Sequence, residues 1–94
     1  MEIQGTGHID AEQRTIGWAV KQLHNGSKVA RSGWNGKGQY LILVSSAKFH
    51  LTGDQPNPPE YTEPFVAIKN AQGKYVPWFA SQTDLLAIDY EIAE

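Results

Sequence analysis

The fold of this chain is decided by the stretch Lys28-Val29-Ala30-Arg31-Ser32-Gly33-Trp34-Asn35-Gly36-Lys37-Gly38-Gln39-Tyr40-Leu41-Ile42-Leu43-Val44. Two segments typical of strands, 28–31 and 39–46, flank the loop 32–38, which holds an indole, an amide, a lysine and three glycines. Successive side chains of a strand point to opposite faces, and both faces of 40–44 are apolar. One helix covers only one of these faces, so we expect a second copy of the chain to cover the other.

A helix is predicted before this stretch. Its apolar stripe repeats at i, i+3, i+4 and i+7 and consists of Ile16, Ala19, Val20 and Leu23. Asp10 or Thr15 is expected to cap its start, and glycine after a last turn predicts its end near Asn25-Gly26. Gly17 costs such a helix about 1 kcal/mol relative to alanine, which a close approach to a strand or ligand would explain.

More strands and a second helix are predicted after the stretch. The predicted segments are the strand 65–69, the turn 70–73, the strand 74–76 and the closing strand 89–92. Pro77 is expected to break the ladder, and Ser81 or Thr83 to cap a short helix through Leu86. The sequence therefore predicts an α+β fold, in which an N-terminal helix packs on an antiparallel meander of about four to five strands, with a short second helix near the C-terminus.

Length predicts a single domain over residues 1–94, because 94 residues support one modest hydrophobic core. A Gly-rich N-terminal arm is expected over 1–14 and the core over 15–93. The segment 54–64 contains three prolines in four positions, which exclude regular helix or a central strand. We expect it to be a loop.

Composition limits the function classes. A net charge of −2, from eight Lys and Arg against ten Asp and Glu, argues against a nucleic-acid polymer or an anionic membrane as partner. Cysteine is absent, so disulfides, thiolate metal sites and cysteine nucleophiles are excluded. The sequence lacks a signal-like N-terminus and an apolar run of membrane-spanning length, so we expect a soluble cytoplasmic protein.

The first candidate binding group lies in the central loop and consists of Arg31, Trp34, Asn35 and Lys37. The neighbouring glycines permit positive φ and a close backbone approach, so backbone N–H groups could meet an anion while the indole stacks on a purine. The alternative is structural, since tryptophan is highly buried on average and Trp34 could fill the core above a tight turn.

The second candidate group lies at the start of the second helix and consists of Trp78, Ser81, Gln82, Thr83 and Asp84. Free backbone donors and hydroxyls at a helix start suit phosphate or ribose, and Asp84 suits a base or ribose edge. The structural alternative is equally open: Ser81 caps the helix, Asp84 favours its dipole and Trp78 fills the core.

Signatures of catalysis are weak. His8, His24 and His50 are too far apart in sequence for a helical metal pair, so we expect surface residues and no metal site. Asp84 and Asp89 could form an acid and base pair, although such carboxylates are more often solvated. The glycine spacing of the central loop is not that of a Walker loop. The sequence favours binding over turnover, without a cofactor.

Two strings carry a resemblance to a known family: Arg31-Ser32-Gly33-Trp34-Asn35-Gly36-Lys37 and Pro77-Trp78-Phe79-Ala80-Ser81-Gln82-Thr83-Asp84. With Thr15-Ile16-Gly17-Trp18-Ala19, they resemble a small phage and prophage family that includes the second type of Thoeris anti-defence protein. The resemblance covers most of residues 15–92. Trp18 departs from it, because the family often has glutamate at this position, which would pair with Thr15 in a capping box.

What the resemblance implies is an anti-defence sponge, not an enzyme, in the cytoplasm of the infected bacterium. Family members resemble homo-oligomers, commonly tetramers, that hold cyclic ADP-ribose isomers such as gcADPR between protomers without cleaving them. Some relatives also sequester cyclic oligonucleotides at separate pockets. By this resemblance, Trp34 and Trp78 wall the adenine and Arg31 with Lys37 meets the diphosphate. The residues expected to hydrogen-bond ribose and base edges are Asn35, Ser81, Gln82, Thr83 and Asp84.

Three other functions stay open at this point. The same scaffold could sequester cyclic di- or trinucleotide signals of CBASS defence. It could instead hydrolyse a nucleotide signal, or its aromatic loop could grip a host protein.

Overall fold

The computed structural model describes residues 14–34, 38–49 and 60–93. Its elements in chain order are α1 (Ile16–His24), β1 (Val29–Arg31), β2 (Tyr40–Val44), β3 (Lys48–Phe49), β4 (Glu60–Tyr61), β5 (Phe65–Lys69), β6 (Tyr75–Pro77), α2 (Gln82–Leu86) and β7 (Tyr90–Ile92). The predicted α+β class, with an N-terminal helix, an antiparallel sheet and a short second helix, is confirmed. Among the helices in these ranges, none has the length and apolarity needed to cross a membrane.

Helix α1 begins and ends where the sequence predicts. The Thr15 hydroxyl accepts a hydrogen bond from the backbone N–H of Trp18 at 3.3 Å, and Gly26 follows the last turn with φ 89°. The alternative start at Asp10 lies outside the described residues. Ala19 and Leu23 are buried and Ile16 packs against the same core, as the predicted stripe requires. Val20 does not share this burial, because it is 40% exposed.

The main sheet has five antiparallel strands in the order β6-β5-β2-β1-β7. The predicted meander is wrong in its last connection, because β7 returns to β1 and not to β6. At the edge of the sheet formed by β1, Tyr90 lies opposite Arg31 and enters the core beside α1, where it is 1% exposed. Burial of this aromatic side chain stabilises the crossing.

Pro77 does not break the ladder as predicted. It is the last residue of the edge strand β6, opposite Ala67, and the next N–H, that of Trp78, still donates to the Val66 carbonyl at 2.9 Å. An edge strand tolerates proline because the position without a donor faces away from the sheet.

The two faces of the sheet have different surroundings. Val29, Leu41 and Tyr90 point toward α1 and are almost completely buried. The alternate positions form what we call the open face, which consists of Lys28, Ala30, Tyr40, Ile42, Val44, Phe65, Ala67, Lys69, Tyr75 and Glu91. No helix of the described ranges packs on the open face. The predicted second copy on this face stays a prediction.

A short hairpin, β3 with β4, is separate from the main sheet. Its base is fixed by Ala47 and Thr62, whose backbone and hydroxyl groups exchange hydrogen bonds of 2.9 and 3.0 Å. Within the described residues, neither strand contacts another helix or strand. Part of the predicted loop 54–64 is therefore wrong: Glu60–Tyr61 pairs with Lys48–Phe49, a partner that the proline pattern did not reveal. Residues 54–59 lie outside the described ranges.

Candidate functional site

Two indoles meet on the helix side of the sheet. Trp34 and Trp78 pack edge to face, with ring centroids 6.5 Å apart and an interplanar angle of 66°. Both are half-buried and pack against the buried core cluster of Ala19, Leu23, Val29, Leu41 and Tyr90. Part of each side chain thus packs on the core while the rest is exposed, so the structural role is supported and the binding role stays a prediction.

Each indole is held by the end of a strand. The backbone N–H of Trp34 donates to the Arg31 carbonyl at 3.2 Å in the turn after β1. The backbone N–H of Trp78, just after β6, donates to the Val66 carbonyl. The two strands lie three strands apart in the sheet. The chain therefore brings two distant motifs together across the sheet.

Arg31 joins the end of β1 to two later parts of the chain. Its Nε donates to Asp89 Oδ1 and its Nη1 to Asp84 Oδ1, both at 2.8 Å. All three side chains are largely buried, with 19% of Arg31, 13% of Asp84 and 30% of Asp89 exposed. Low exposure reduces screening by solvent, so these charge-assisted bonds are stronger than surface ion pairs.

The charges of this cluster are fixed near neutral pH. The hydrogen bond from Arg31 holds the pKa of Asp89 below its usual range, against the opposing effect of burial. Burial alone would raise the pKa of Asp84, but hydrogen bonds from the Ser81 backbone, Arg31 and the Trp34 side chain outweigh it and lower that pKa. The pKa of Arg31 is raised by its bonds to Asp89 and Asp84. One cation and two anions leave a net charge of about −1 on the cluster.

The start of α2 is a capping box. The Ser81 hydroxyl accepts from the Asp84 N–H at 3.1 Å, and the Asp84 carboxylate accepts from the Ser81 N–H at 2.9 Å. The Ser81 and Thr83 hydroxyls lie 2.8 Å apart. Tyr90 donates from its hydroxyl to the Asp84 carbonyl at 2.6 Å. A helix of only five residues is thereby anchored at the cluster.

Gly33 is required by a close approach. Its N–H donates to Asp89 Oδ2 at 3.0 Å, and a Cβ added at Gly33 would lie 3.0 Å from the same oxygen. Any larger residue must push the carboxylate away from the turn. This glycine therefore serves the contact between the central loop and β7.

Most of the residues predicted from the two motifs are neighbours. Arg31, Trp34, Trp78, Ser81 and Asp84 are connected by the contacts above. Gln82 and Thr83 are exposed in the first turn of α2. Asn35 and Lys37 lie outside the described residues.

The arrangement gives Arg31 and Asp84 bonds within the chain that the sequence did not reveal. Nε and Nη1 of Arg31 are bound to carboxylates, and Asp84 accepts from several groups. Their contacts with a diphosphate or a base edge stay predictions. Asp84 and Asp89, expected to be solvated, are instead paired with Arg31.

Sequence reasoning considered Asp89 only as an acid or base paired with Asp84, and it missed that Asp89 binds Arg31 and that Tyr90 binds the backbone of α2. Asp89 is 58 positions from Arg31, and Tyr90 is buried below α2. The only signal was their alternation in the closing strand, which gave no register with β1.

Comparison with known proteins shows the family of this chain. Residues 14–93 match the Thoeris anti-defense 2-like domain, a range that contains both motifs and the Asp89 and Tyr90 contacts. A protein named Thoeris anti-defense 2, from Bacillus phage SP01, is 39% identical to this chain over 83 residues, which is 83% of this chain and 92% of the relative. This chain therefore belongs to the Thoeris anti-defense 2-like family.

Proposed function

We propose that this phage-type protein counters Thoeris defence by binding a cyclic ADP-ribose-type signal, such as gcADPR, and holding it without cleavage. The observation that carries the proposal is the half-buried Trp34 and Trp78 pair beside the polar start of α2, in a chain of this family. Indole faces stack on adenine, and each such contact contributes about 1–3 kcal/mol.

The polar groups divide into two roles in this proposal. Gln82 and Thr83 are exposed in the first turn of α2 and meet ribose or base edges. Arg31 and Asp84 line the site, but their mutual bond makes positioning of the indoles and of α2 their main contribution. The cluster carries about −1, so we assign the main contact with a diphosphate to Lys37.

The ionisation of Asp84 and Asp89 disfavours a role as general acid for either residue. A general acid must be protonated at the working pH. The pKa values of Asp84 and Asp89 are both lowered, so both are carboxylates near neutral pH and neither suits that role. They also lack freedom to move, because Arg31 holds each of them.

Self-association completes the proposal. Ile42, Val44 and Phe65 form an apolar row on the open face, which we propose is covered by a second copy in a homo-oligomer of tetrameric size. Phe79 and Leu86, at 87% and 80% exposed, flank the start and end of α2 and would supply further apolar contact between copies. Burial of such side chains stabilises association by about 1.5–3 kcal/mol each.

The decisive experiment is retention followed by release. The protein is mixed with cyclic ADP-ribose isomers and, separately, with cyclic di- and trinucleotides; free ligand is removed, the protein is heat-denatured, and the released compounds are identified by mass spectrometry. Intact release of a cyclic ADP-ribose isomer is expected. Release of a cleaved product would identify an enzyme, and retention of cyclic oligonucleotides alone would assign a different signal.

The variant Trp34→Ala tests the indole pair. Loss of the stacking face should weaken retention by about tenfold or more, while Trp34→Phe should keep part of it. Tyr61→Ala, which removes a 65% exposed ring on the separate hairpin, is the control and should bind as the wild type does. If Trp34→Ala unfolds the protein or retains ligand unchanged, the indole is structural and the proposed site is wrong.

A further inference from the structure

Two tyrosines and two lysines gather at one end of the open face. Tyr40, Lys69 and Tyr75 lie directly opposite one another across β2, β5 and β6. Lys28 immediately precedes Val29, whose side chain points to α1, so Lys28 points to the open face. The contacts agree, because the Nζ atoms of Lys28 and Lys69 lie 4.8 and 5.3 Å from the centroid of the Tyr40 ring.

In the described parts of the chain, no carboxylate forms an ion pair with either lysine of this cluster. Within residues 14–34, 38–49 and 60–93, the ion pairs are those of Arg31 with Asp84 and Asp89. Glu91 is also on the open face, beside Ala30, but forms no ion pair with Lys28 in these ranges. Both ammonium groups lie within 5.3 Å of the centre of the Tyr40 ring, and an anion close to both would offset their mutual repulsion.

The hydroxyl groups add donors to the same place. The Tyr40 and Tyr75 oxygens lie 2.8 Å apart, so one hydroxyl donates to the other and the second proton stays available. The hydrogen bond with Tyr40 raises the pKa of Tyr75, so this phenol keeps its proton near neutral pH. The rings pack edge to face, with centroids 6.3 Å apart, which holds the hydroxyls in position.

We propose that Lys28, Tyr40, Lys69 and Tyr75 form an anion site that takes the phosphoryl group of a small ligand. The cluster offers cations and O–H donors on a rigid sheet, and a phosphoryl group supplies several acceptor oxygens with a charge of up to −2 to match two lysines. The exposed Tyr75 ring, at 51%, leaves the site accessible from the sheet edge.

This site is separate from the indole pair. The two tryptophans lie on the side of the sheet that carries α1, and the four residues of the anion site lie on the open face. It also lies at the end of the open face away from Val44 and Phe65, so a second copy on the apolar row would leave it at the rim. The inference therefore does not depend on the proposed function.

The test uses inorganic pyrophosphate as the probe. Intact protein is titrated with pyrophosphate at constant ionic strength while backbone amide shifts are followed by NMR. We expect saturable binding with Kd below about 1 mM, and shifts centred on residues 28, 40, 69 and 75. Absence of saturable binding would overturn the proposal, as would shifts that centre on the indole pair or disappear in Trp34→Ala.

Matched variants separate a site from general attraction to positive charge. Lys69→Ala should weaken binding by about tenfold and Tyr75→Phe by about threefold, because charge-assisted bonds are stronger than neutral ones, while Lys69→Arg should restore most of the affinity. Lys74→Ala removes the same charge next to Tyr75 in an exposed turn and should bind like the wild type. If Lys74→Ala loses as much affinity as Lys69→Ala, the site does not exist. Circular dichroism of each variant checks that the fold is kept.

Discussion

Arg31 is the residue on which the site depends most. Its Nε and Nη1 bind different carboxylates at 2.8 Å, a geometry that the planar guanidinium supports and a lysine ammonium does not. One side chain thereby ties β1 to both α2 and β7. The sequence predicted a binding role for Arg31 from its neighbours in the loop, but a local motif cannot reveal partners 53 and 58 positions away.

Acid should weaken the fold through this cluster. The pKa values of Asp84 and Asp89 are lowered in the folded state, so their contribution is fully present above the unfolded value of about 3.9 and is lost as pH falls through the lower folded values. Replacing Asp89 by asparagine should cost about 1–2 kcal/mol at pH 7 and flatten the loss of stability below pH 4. Urea unfolding of wild type and variant between pH 3 and 7 measures both effects.

Glu91→Gln is the matched control, since it removes one acidic charge two residues away on an exposed position. Its stability should stay within about 0.5 kcal/mol of the wild type. Equal pH profiles for wild type and Asp89→Asn would contradict the role given to this aspartate.

Among the elements, α1 was largely predictable because its signals are local: Thr15 was one of two predicted starts, and the end was predicted near Asn25-Gly26. Thr15 accepts from the N–H of Trp18 and Gly26 donates to the Leu23 carbonyl, so both helix ends are stabilised by residues within one turn. The apolar stripe repeats over the same short stretch. The same holds for β5 and for the start of α2, where Ser81 was one of two predicted caps; the reciprocal bond from Ser81 to the Asp84 side chain was not predicted. The position of β7 was not predictable, since strand alternation specifies which side chains are buried but not which edge the strand joins. The pairing of Lys48–Phe49 with Glu60–Tyr61 was not predictable for the same reason, since the sequence pattern does not specify which strand is the partner.

Gly17 is the unexplained position of α1. It is exposed, and an added Cβ would meet only the Thr15 hydroxyl at an ordinary 3.6 Å, so the close approach expected from the sequence does not occur within the described part of the chain. Gly17→Ala should therefore raise the free energy of unfolding by about 1 kcal/mol through helix propensity and a less flexible unfolded chain. Thermal unfolding of the two proteins at equal concentration measures the change.

The same variant also reports on contacts between molecules. If Gly17→Ala lowers stability, or reduces ligand retention or self-association, a surface from outside the described chain approaches α1 at this glycine. The helix propensity argument would then be wrong for this site.

At the scale of the whole molecule, each side of the sheet has a different task. The side with α1 carries the core and the indole pair, and the open face carries an apolar row with a basic and aromatic end. The sequence predicted the apolar character of both faces from 40–44 alone. The sequence could not predict the contact between Tyr40 and Tyr75. Their strands, β2 and β6, do not pair directly, and their relative position depends on how each pairs with β5, which lies between them.

Charge on the apolar row should prevent self-association. We expect wild-type protein to show a concentration-dependent mass by analytical ultracentrifugation, and Ile42→Glu to stay monomeric because an unpaired carboxylate resists burial. The control is Val20→Glu, which places the same charge on α1 at a residue that is 40% exposed. This variant should assemble as the wild type does. A wild type that is monomeric at every concentration, or an Ile42→Glu variant that still assembles, would contradict the proposed oligomer.

The pairing of β7 with β1 also determines when the Arg31 cluster can form during synthesis. Arg31 leaves the ribosome's active site 59 residues before Tyr90, which at about 5–20 residues per second is a delay of about 3–12 s. During that time β1 has a free edge and Arg31 lacks both of its aspartates. Each newly made chain can therefore complete the Arg31 cluster only after the residues just before β7 have been synthesised.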